Sequence, residues 1–297
     1  ILKSLIQGSI NVVNATNVNA KNNIWEKAGI TLVNQGEVIV RDNFFEGFEV
    51  AVSVTAAETV TIVNNTFTGG NIAARVDSDS VEFTGNQIIG SRVALSQVGS
   101  KNLVLTATHN VLAVTGKPTK ASALISVTSS TLESASVDVS RNSFRKSKNS
   151  VGAVDIDLKS QNRANVNINR NFFEDIEAVS VRVKVETATN VSSSVELKQN
   201  VFVNPSSDID VAGKWTVDKV NKVINATFNY WGADKNIYQR IEEAGNFDYS
   251  PFFLTIDVQN FNSSNIGYEQ YEPSHHPDKG YIAGIVIGSV AAGIIAL

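Results

Sequence analysis

An asparagine that follows a short β-branched run, with a large apolar side chain one or two residues after it, recurs eight times in this chain. It stands at Asn43, Asn65, Asn86, Asn110, Asn142, Asn171, Asn200 and Asn229, with steps of 22, 21, 24, 32, 29, 29 and 29 residues. A period in that range is the signature of stacked repeats, where each unit buries its apolar face only against its neighbours. With the repeat running through most of 297 residues, one elongated body is expected rather than two globular domains.

The approach to each asparagine alternates, as in Val166 and Ile168 against Asn167 and Asn169, or Val195 and Leu197 against Glu196 and Lys198. A period of two marks a strand with one buried face. Neither the fixed leucine offsets of leucine-rich repeats nor the 3.6-residue period of helical repeats is present. Asparagine tolerates left-handed backbone and bonds its own local backbone, so each one reads as a corner between two short strands. Corners at the same place in every rung would stack about 4.8 Å apart, their amides forming a ladder and the residue just after them pointing inward. The expected fold is all-β, a right-handed parallel β-helix of about eight or more rungs. The longer rungs are expected to carry polar loops at 116–120, 146–150 and 187–194. Residues 1–35 are less regular, although Val12-Val13-Asn14-Ala15-Thr16 echoes Val223-Ile224-Asn225-Ala226-Thr227 and suggests a degenerate rung. The start at Ile1, with no leader before it, reads as a fragment or processed product with further rungs or a cap upstream.

After Asn229 the pattern changes to Asn229-Tyr230-Trp231-Gly232, a charged stretch over 237–243 expected to be helical, and Tyr249-Ser250-Pro251-Phe252-Phe253. These residues look like a cap over the last rung. Trp231, Tyr249, Phe252 and Phe253 supply bulk, Gly232 permits a sharp departure, and Pro251 withholds a strand donor. The two blocks resemble the terminal rung of many right-handed β-helix repeat proteins. Their spacing, with Ile237-Tyr238-Gln239-Arg240-Ile241 between them and an apolar segment soon after, is similar to animal cell-surface proteins of the bark beetle/Anakonda type. Those are single-span proteins of tricellular epithelial junctions, so the resemblance implies an extracellular β-helix in junction assembly. Its specific part covers residues 223–297, and the family's cysteine-rich and lectin-like modules have no counterpart here.

The chain thus divides into an irregular region at 1–35, a β-helix at 36–257 with its cap at 229–253, a stalk at 258–279 and a membrane segment at 280–297. Residues 280–297 carry no charge, and Ser289 is the only polar side chain after Tyr281. A span needs roughly 20 apolar residues, so this reads as a transmembrane helix cut near its cytoplasmic end. Gly284, Gly288, Ala292 and Ala296 recur every four residues on one stripe. They are either a helix-packing face or the ordinary small-residue content of membrane helices. A cleaved lipid-anchor signal, with small residues near Asn262, is the other reading of this tail, and the span is preferred. Sequons at Asn14, Asn64, Asn190, Asn225 and Asn262 all precede the apolar segment, which fits N-glycosylation and an extracellular N-terminal region at the plasma membrane. Asn190 and Asn262 stand in the most loop-like contexts.

Many β-helices cleave acidic polysaccharides, which takes paired carboxylates on one outer face. The i, i+2 pairs are Asp77/Asp79, Asp155/Asp157 and Asp208/Asp210, with Arg182 and Lys184 on the strand between the last two. Stacked in one sheet, they would alternate in sign up the face. That pattern suits a structural charge ladder, and its cations would repel calcium. His109, His275 and His276 form no ligand cluster, and a chain without cysteine has no thiol or Cys-zinc chemistry. A net charge of −4, with Lys and Arg scattered singly, speaks against a nucleic-acid surface. The sequence therefore points to a membrane-anchored adhesive scaffold with protein partners, possible glycan contacts, no cofactor and no catalytic residue. A surface-tethered carbohydrate-active or carbohydrate-binding β-helix is the alternative.

Overall fold

The computed structural model describes residues 3–253 except 34–35, 100, 114–122, 147–151, 189–191, 206, 208, 233–236, 243–245 and 251. The expected loops at 116–120, the end of the loop at 146–150 and the middle of that at 187–194 lie wholly or partly outside the described residues, as do Asn190, Asn262, Pro251, the stalk and the apolar segment with Gly284, Gly288 and Ala292. The fold is all-β, with parallel strands stacked in long sheets in the manner of a β-solenoid.

Each rung contributes to three faces. The first, among the described residues, is a nine-stranded sheet of very short strands: Leu5–Ile6, Ile24–Glu26, Phe44–Glu46, Thr66–Thr68, Gln87–Ile89, Val111–Ala113, Ser143–Arg145, Phe172–Glu174 and Val201–Val203. Tyr230 and then Phe253 extend it by single parallel bridges. The second face runs through Ile10–Val13, Ile30–Val33 and Val93–Val98 to Val181–Thr187 and Val211–Val217, and the third through Asn17–Lys21, Glu37–Arg41 and Asn102–Thr108 to Ser194–Glu196. Four long strands, Val50–Val63, Ile72–Thr84, Ala123–Ser140 and Gly152–Asn169, bend through the corner and serve both faces. Residues 3–33 carry the same rungs as the rest, so the region read as irregular is in register with the repeat.

Alternation sets what lies inside. On the short face the second residue after each ladder asparagine is buried, giving Trp25, Phe45, Phe67, Ile88, Leu112, Phe144, Phe173, Phe202 and Trp231 in one column. The first residue after it lies on the other side of the strand, which corrects the expectation that the residue just after each corner points into the core: Ile24, Phe44 and Val111 are exposed there, while Phe172, Val201 and Tyr230 are buried in a second apolar cluster with Phe253. Ring centroids are 5.3 Å apart for Trp25–Phe45, 5.0 Å for Phe45–Phe67, and 4.9, 5.0 and 4.9 Å along Phe144, Phe173, Phe202 and Trp231. Each such stack adds about 0.5–1.5 kcal/mol beyond area burial. Ile88 and Leu112 divide the rings into two piles.

The asparagines stand at the corner between the third and first faces, every one of them buried. Asn43 is typical: its Nδ2 donates to Asn65 Oδ1 at 3.0 Å, to Ala20 O at 2.8 Å and to Arg41 O at 2.9 Å, and its backbone N–H donates to the same Asn65 Oδ1 at 3.0 Å. The ladder runs unbroken from Asn23 to Asn229. Asn23 is a rung the sequence pattern missed, and Ser4 N donates to its Oδ1 at 3.1 Å. The left-handed residue is not the asparagine but the one before it: Asn22, Asp42, Asn64, Gly85, His109, Arg141, Arg170, Gln199 and Phe228, all with φ between 54° and 66°. Turning the chain there leaves the asparagine amide aimed along the stack.

A second polar set lines the corner between the second and third faces. Ser78 Oγ donates to Ala57 O at 2.9 Å, Ser129 Oγ to Gly99 O at 2.7 Å and Ser160 Oγ to Glu133 O at 3.1 Å, satisfying carbonyls that the bend releases from the ladder. Near the C-terminal end, Val211–Val217 pairs in parallel with Ile241–Glu242 only through Val211 and Ala212. Its remaining edge is covered by antiparallel Val220–Lys222, reached through Asp218 and Lys219 at φ 48° and 64°, a two-residue hairpin turn. That hairpin blocks continuation of the sheet along the edge.

Close backbone approach explains Gly29. A Cβ there would lie 2.1 Å from Val50 O and 2.9 Å from Ala51 O, both backbone atoms. Gly29→Ala is therefore expected to cost about 1–3 kcal/mol or more, measured by chemical denaturation against the parent.

Candidate functional site

The left-handed corner throws alternate side chains outward beside the short strands. Asn22, Asp42 and Asn64, with φ of 57°, 54° and 56°, form one exposed column, and Ile24, Phe44 and Thr66 form the next. Between them lies a shallow groove, floored by the buried amides of Asn23 and Asn43. Ile24 is 48% and Phe44 37% exposed, and Lys21 Nζ stands 3.9 Å from Asp42 Oδ2. Amide, carboxylate, hydroxyl and aromatic surface at rung spacing is the mixture that recognises hydroxyl-rich ligands, although the groove is too open to exclude water.

The second face carries the charge ladder. Asp155 lies opposite Arg182 and Asp157 opposite Lys184. Arg182 Nε and Nη2 donate to the two Asp155 oxygens at 2.8 and 2.9 Å, a bidentate pair. Lys184 Nζ is 3.7 Å from Asp157 and 3.3 Å from Glu186, and Lys159 Nζ is 3.9 Å from Glu186. Asp157 above all, with Glu186, holds the Lys184 ammonium above its ordinary pKa. The third member is not Asp208/Asp210: Arg182 pairs with Ala212 and Lys184 with Lys214. Asp208 lies outside the described residues, and Asp210 precedes the strand, fully buried. Asp77 and Asp79 are separated by a register shift after Asp77, and Asp79 Oδ1 accepts the Lys101 N–H at 3.2 Å.

On the third face Asp138 is the perturbed group. Burial raises its pKa, against the lowering effects of the Ser140 hydroxyl and Arg141. A raised folded-state value means that the native state binds its proton more tightly than the unfolded chain, so stability falls as pH rises through that window. Asp138→Asn is expected to raise the melting midpoint at pH 7 by no more than about 2 °C, with the difference vanishing below pH ~3.9, as read by thermal melts across pH.

The C-terminal end is bolted by a buried polar chain. Arg240 Nε donates to Asp210 Oδ2, Asn204 Nδ2 donates to Asp210 Oδ1 and to Ser180 Oγ at 2.8 Å each, and Asn204 Oδ1 accepts the Ile176 N–H at 3.0 Å. Arg240 is 3% exposed and Asp210 0%. Arg240 ends the single helical turn Ile237–Arg240. The chain then returns to strand at Ile241–Glu242, so the helix expected over 237–243 is confined to its first half. Trp231 is buried on Phe202, Gly232 takes φ 85° beside the Arg240 guanidinium, and Tyr249 and Phe252 pack partly buried against the core. Sequence reasoning missed this cluster, because nothing local couples Ser180, Asn204, Asp210 and Arg240.

Of the sequon asparagines, Asn14 and Asn64 are exposed at left-handed turns. Asn225 is half-buried in a strand, its Oδ1 accepting from Thr227 Oγ1 at 2.8 Å. His109 is exposed at its corner. No group of three or more His, Asp or Glu arranged to hold a metal ion occurs among the described residues, and no described helix is long and apolar enough to cross a membrane. Compared with family models, curated proteins and solved structures, the chain finds no match.

Proposed function

We propose that this chain is the extracellular part of a cell-surface protein, a right-handed parallel β-helix held at the plasma membrane by a single span at 280–297. It acts as a rigid spacer and adhesive scaffold in cell–cell junction assembly, with protein partners at its outer faces and without catalysis or a cofactor. The observation that carries the reading is the unbroken buried ladder from Asn23 to Asn229, with the separate Asp210–Arg240 bolt near the same end of the stack. It commits the repeated side chains to mutual support and makes a stiff rod whose outer surface is free for contact. The exposed sequon residues Asn14 and Asn64 and the Asn229-Tyr230-Trp231-Gly232 resemblance support the extracellular and junctional parts.

The test is display of the full chain, tagged at its N-terminus, on weakly adhesive cultured cells. Expected are staining without permeabilisation, resistance to phosphatidylinositol-specific phospholipase C, and enrichment at cell contacts. Staining only after permeabilisation, or even distribution over the surface, would reject the scaffold reading.

A further inference from the structure

The groove beside the asparagine ladder has an occupant that the chain itself can supply. We infer that Asn64 carries an N-linked glycan whose first sugar lies in this groove, over Phe44 and Ile24.

The sequon Asn64-Asn65-Thr66 divides its residues by geometry. Asn65 is a ladder residue, 1% exposed, with its amide fully engaged by Val40 O, Val63 O and Asn86 Oδ1. Asn64 is exposed, and no hydrogen bond of its amide nitrogen occurs among the described residues. Its backbone, at φ 56°, turns the side chain out of the stack. The next rung has Gly85 at the matching corner, where a Cβ would come 2.5 Å from Asn64 Oδ1. The Asn64 amide oxygen rests over this bare corner. Below, the same corner column continues through Asp42 to Asn22, and beside it run Thr66, Phe44 and Ile24. A sugar on Asn64 therefore meets polar groups along one wall and an exposed aromatic ring and aliphatic chain along the other.

Those apolar side chains need cover. Leu5, Ile24 and Phe44 are in register on successive short strands and are 60%, 48% and 37% exposed, a continuous apolar stripe. Such a stripe is an association hazard in a chain that folds alone. A glycan is bulky and solubilising, and the apolar face of its first sugar would remove part of the Phe44 ring from water. Asn14 is also exposed at a left-handed turn, but it lies at the corner between the second and third faces, away from this stripe. Asn225 has its amide oxygen tied to Thr227.

The bond forms between Asn64 Nδ2 and C1 of N-acetylglucosamine. The donor is a lipid-diphosphate-linked oligosaccharide of the secretory lumen; its C1–O bond to phosphate breaks, the lipid diphosphate leaves, and the amide nitrogen gives up one proton. The inference rests on the extracellular reading above, since only a translocated chain meets that donor.

Secretory expression of the whole chain tests it, with enzymatic amidase release of glycans in ¹⁸O-water and mass spectrometry of the peptide holding Asn64. Conversion of Asn64 to ¹⁸O-labelled aspartate is expected, and its loss in Thr66→Val. Deglycosylation under native conditions should lower the melting midpoint of the parent by about 2–4 °C, and that of Phe44→Ser by less than about 1 °C. An unmodified Asn64 beside a modified Asn14 overturns this inference and leaves the extracellular reading standing. No modification at any sequon, with the chain retained inside the cell, removes both. An equal shift in parent and Phe44→Ser overturns the packing of the sugar in the groove.

Discussion

Replacing Asn142 with leucine is expected to lower the unfolding free energy by about 3–5 kcal/mol. Asn142 Oδ1 accepts from Asn110 N and Asn110 Nδ2 at 2.9 Å each, and its own Nδ2 donates to Ala107 O at 2.8 Å and Asn171 Oδ1 at 3.1 Å. Leucine has similar volume and none of these groups. The Asn110 N–H is then left without an acceptor in a site sealed from water, which alone costs about 1–3 kcal/mol, and the remaining bonds are lost on top. Asn142→Asp separates hydrogen bonding from shape. One carboxylate oxygen must face Ala107 O and Asn171 Oδ1, so the folded state favours the protonated acid, which can still donate to one of them. Its folded-state pKa is raised, and the sign follows: the deficit is smallest below the unfolded value near 3.9 and grows as pH rises. Denaturant unfolding of both variants, at pH 4 and pH 7, checks this. A loss below 1 kcal/mol for leucine, or a pH-independent loss for aspartate, would mean that the ladder is ornamental and the ring stacks hold the rungs.

What the sequence made legible follows from which interactions are local. The ladder asparagines and the inward column from Phe45 to Trp231 sit at fixed offsets in each rung, and alternation in runs such as Val166–Ile168 reads directly as one buried face. The rung at Asn23 escaped because the run before it, with Val18 and Ala20 inward, is less β-branched than the others. The signal was there in Trp25, which takes the place of phenylalanine two residues after the ladder. The left-handed corner residue had almost no signature. Histidine, arginine, glutamine and phenylalanine all occupy it, at His109, Arg141, Arg170, Gln199 and Phe228, since the asparagine amide that follows offsets the modest strain. Strain carried by the neighbour of a conspicuous residue leaves no mark in composition. Asp210 was misplaced for a related reason. Period-two reasoning puts Asp208 and Asp210 on one outer face, but the strand begins at Val211 and Asp210 lies in the turn before it. The groove was invisible because it needs Asp42 and Asn64 side by side, and only the 22-residue register brings them together.

The bolt at the C-terminal end gives a prediction of similar size with a different logic. Asp210→Ala takes the Asp210 carboxylate from the Arg240 guanidinium, which is 3% exposed, and Arg240→Met takes the guanidinium from the buried Asp210 carboxylate, which Asn204 Nδ2 also holds. Each single change is expected to cost about 3–5 kcal/mol. The double change, Asp210→Leu with Arg240→Met, removes both desolvated charges and is expected to recover half or more of the loss. The pair's mutual attraction largely offsets the cost of taking both ions out of water. Among the described residues Arg240 Nη2 is buried without a hydrogen-bond partner, so the pair is imperfectly satisfied by them and recovery should be generous. Place matters as much as energy. Asp210 N donates to Arg240 O at 2.8 Å, and Val181 N to Asp210 O at 2.9 Å, so the bolt joins the returning strand Ile241–Glu242 to the body of the stack. In a repeat protein the terminal unit opens first, and the single variants should therefore lose the cap before the stack. Limited proteolysis read by mass spectrometry should show cuts near 237–253 in each single variant under conditions where the parent and the double variant resist. Rungs that unfold together with the cap, or a double variant as weak as the sum of its parts, would show that the ion pair supports the whole rod instead of sealing its end.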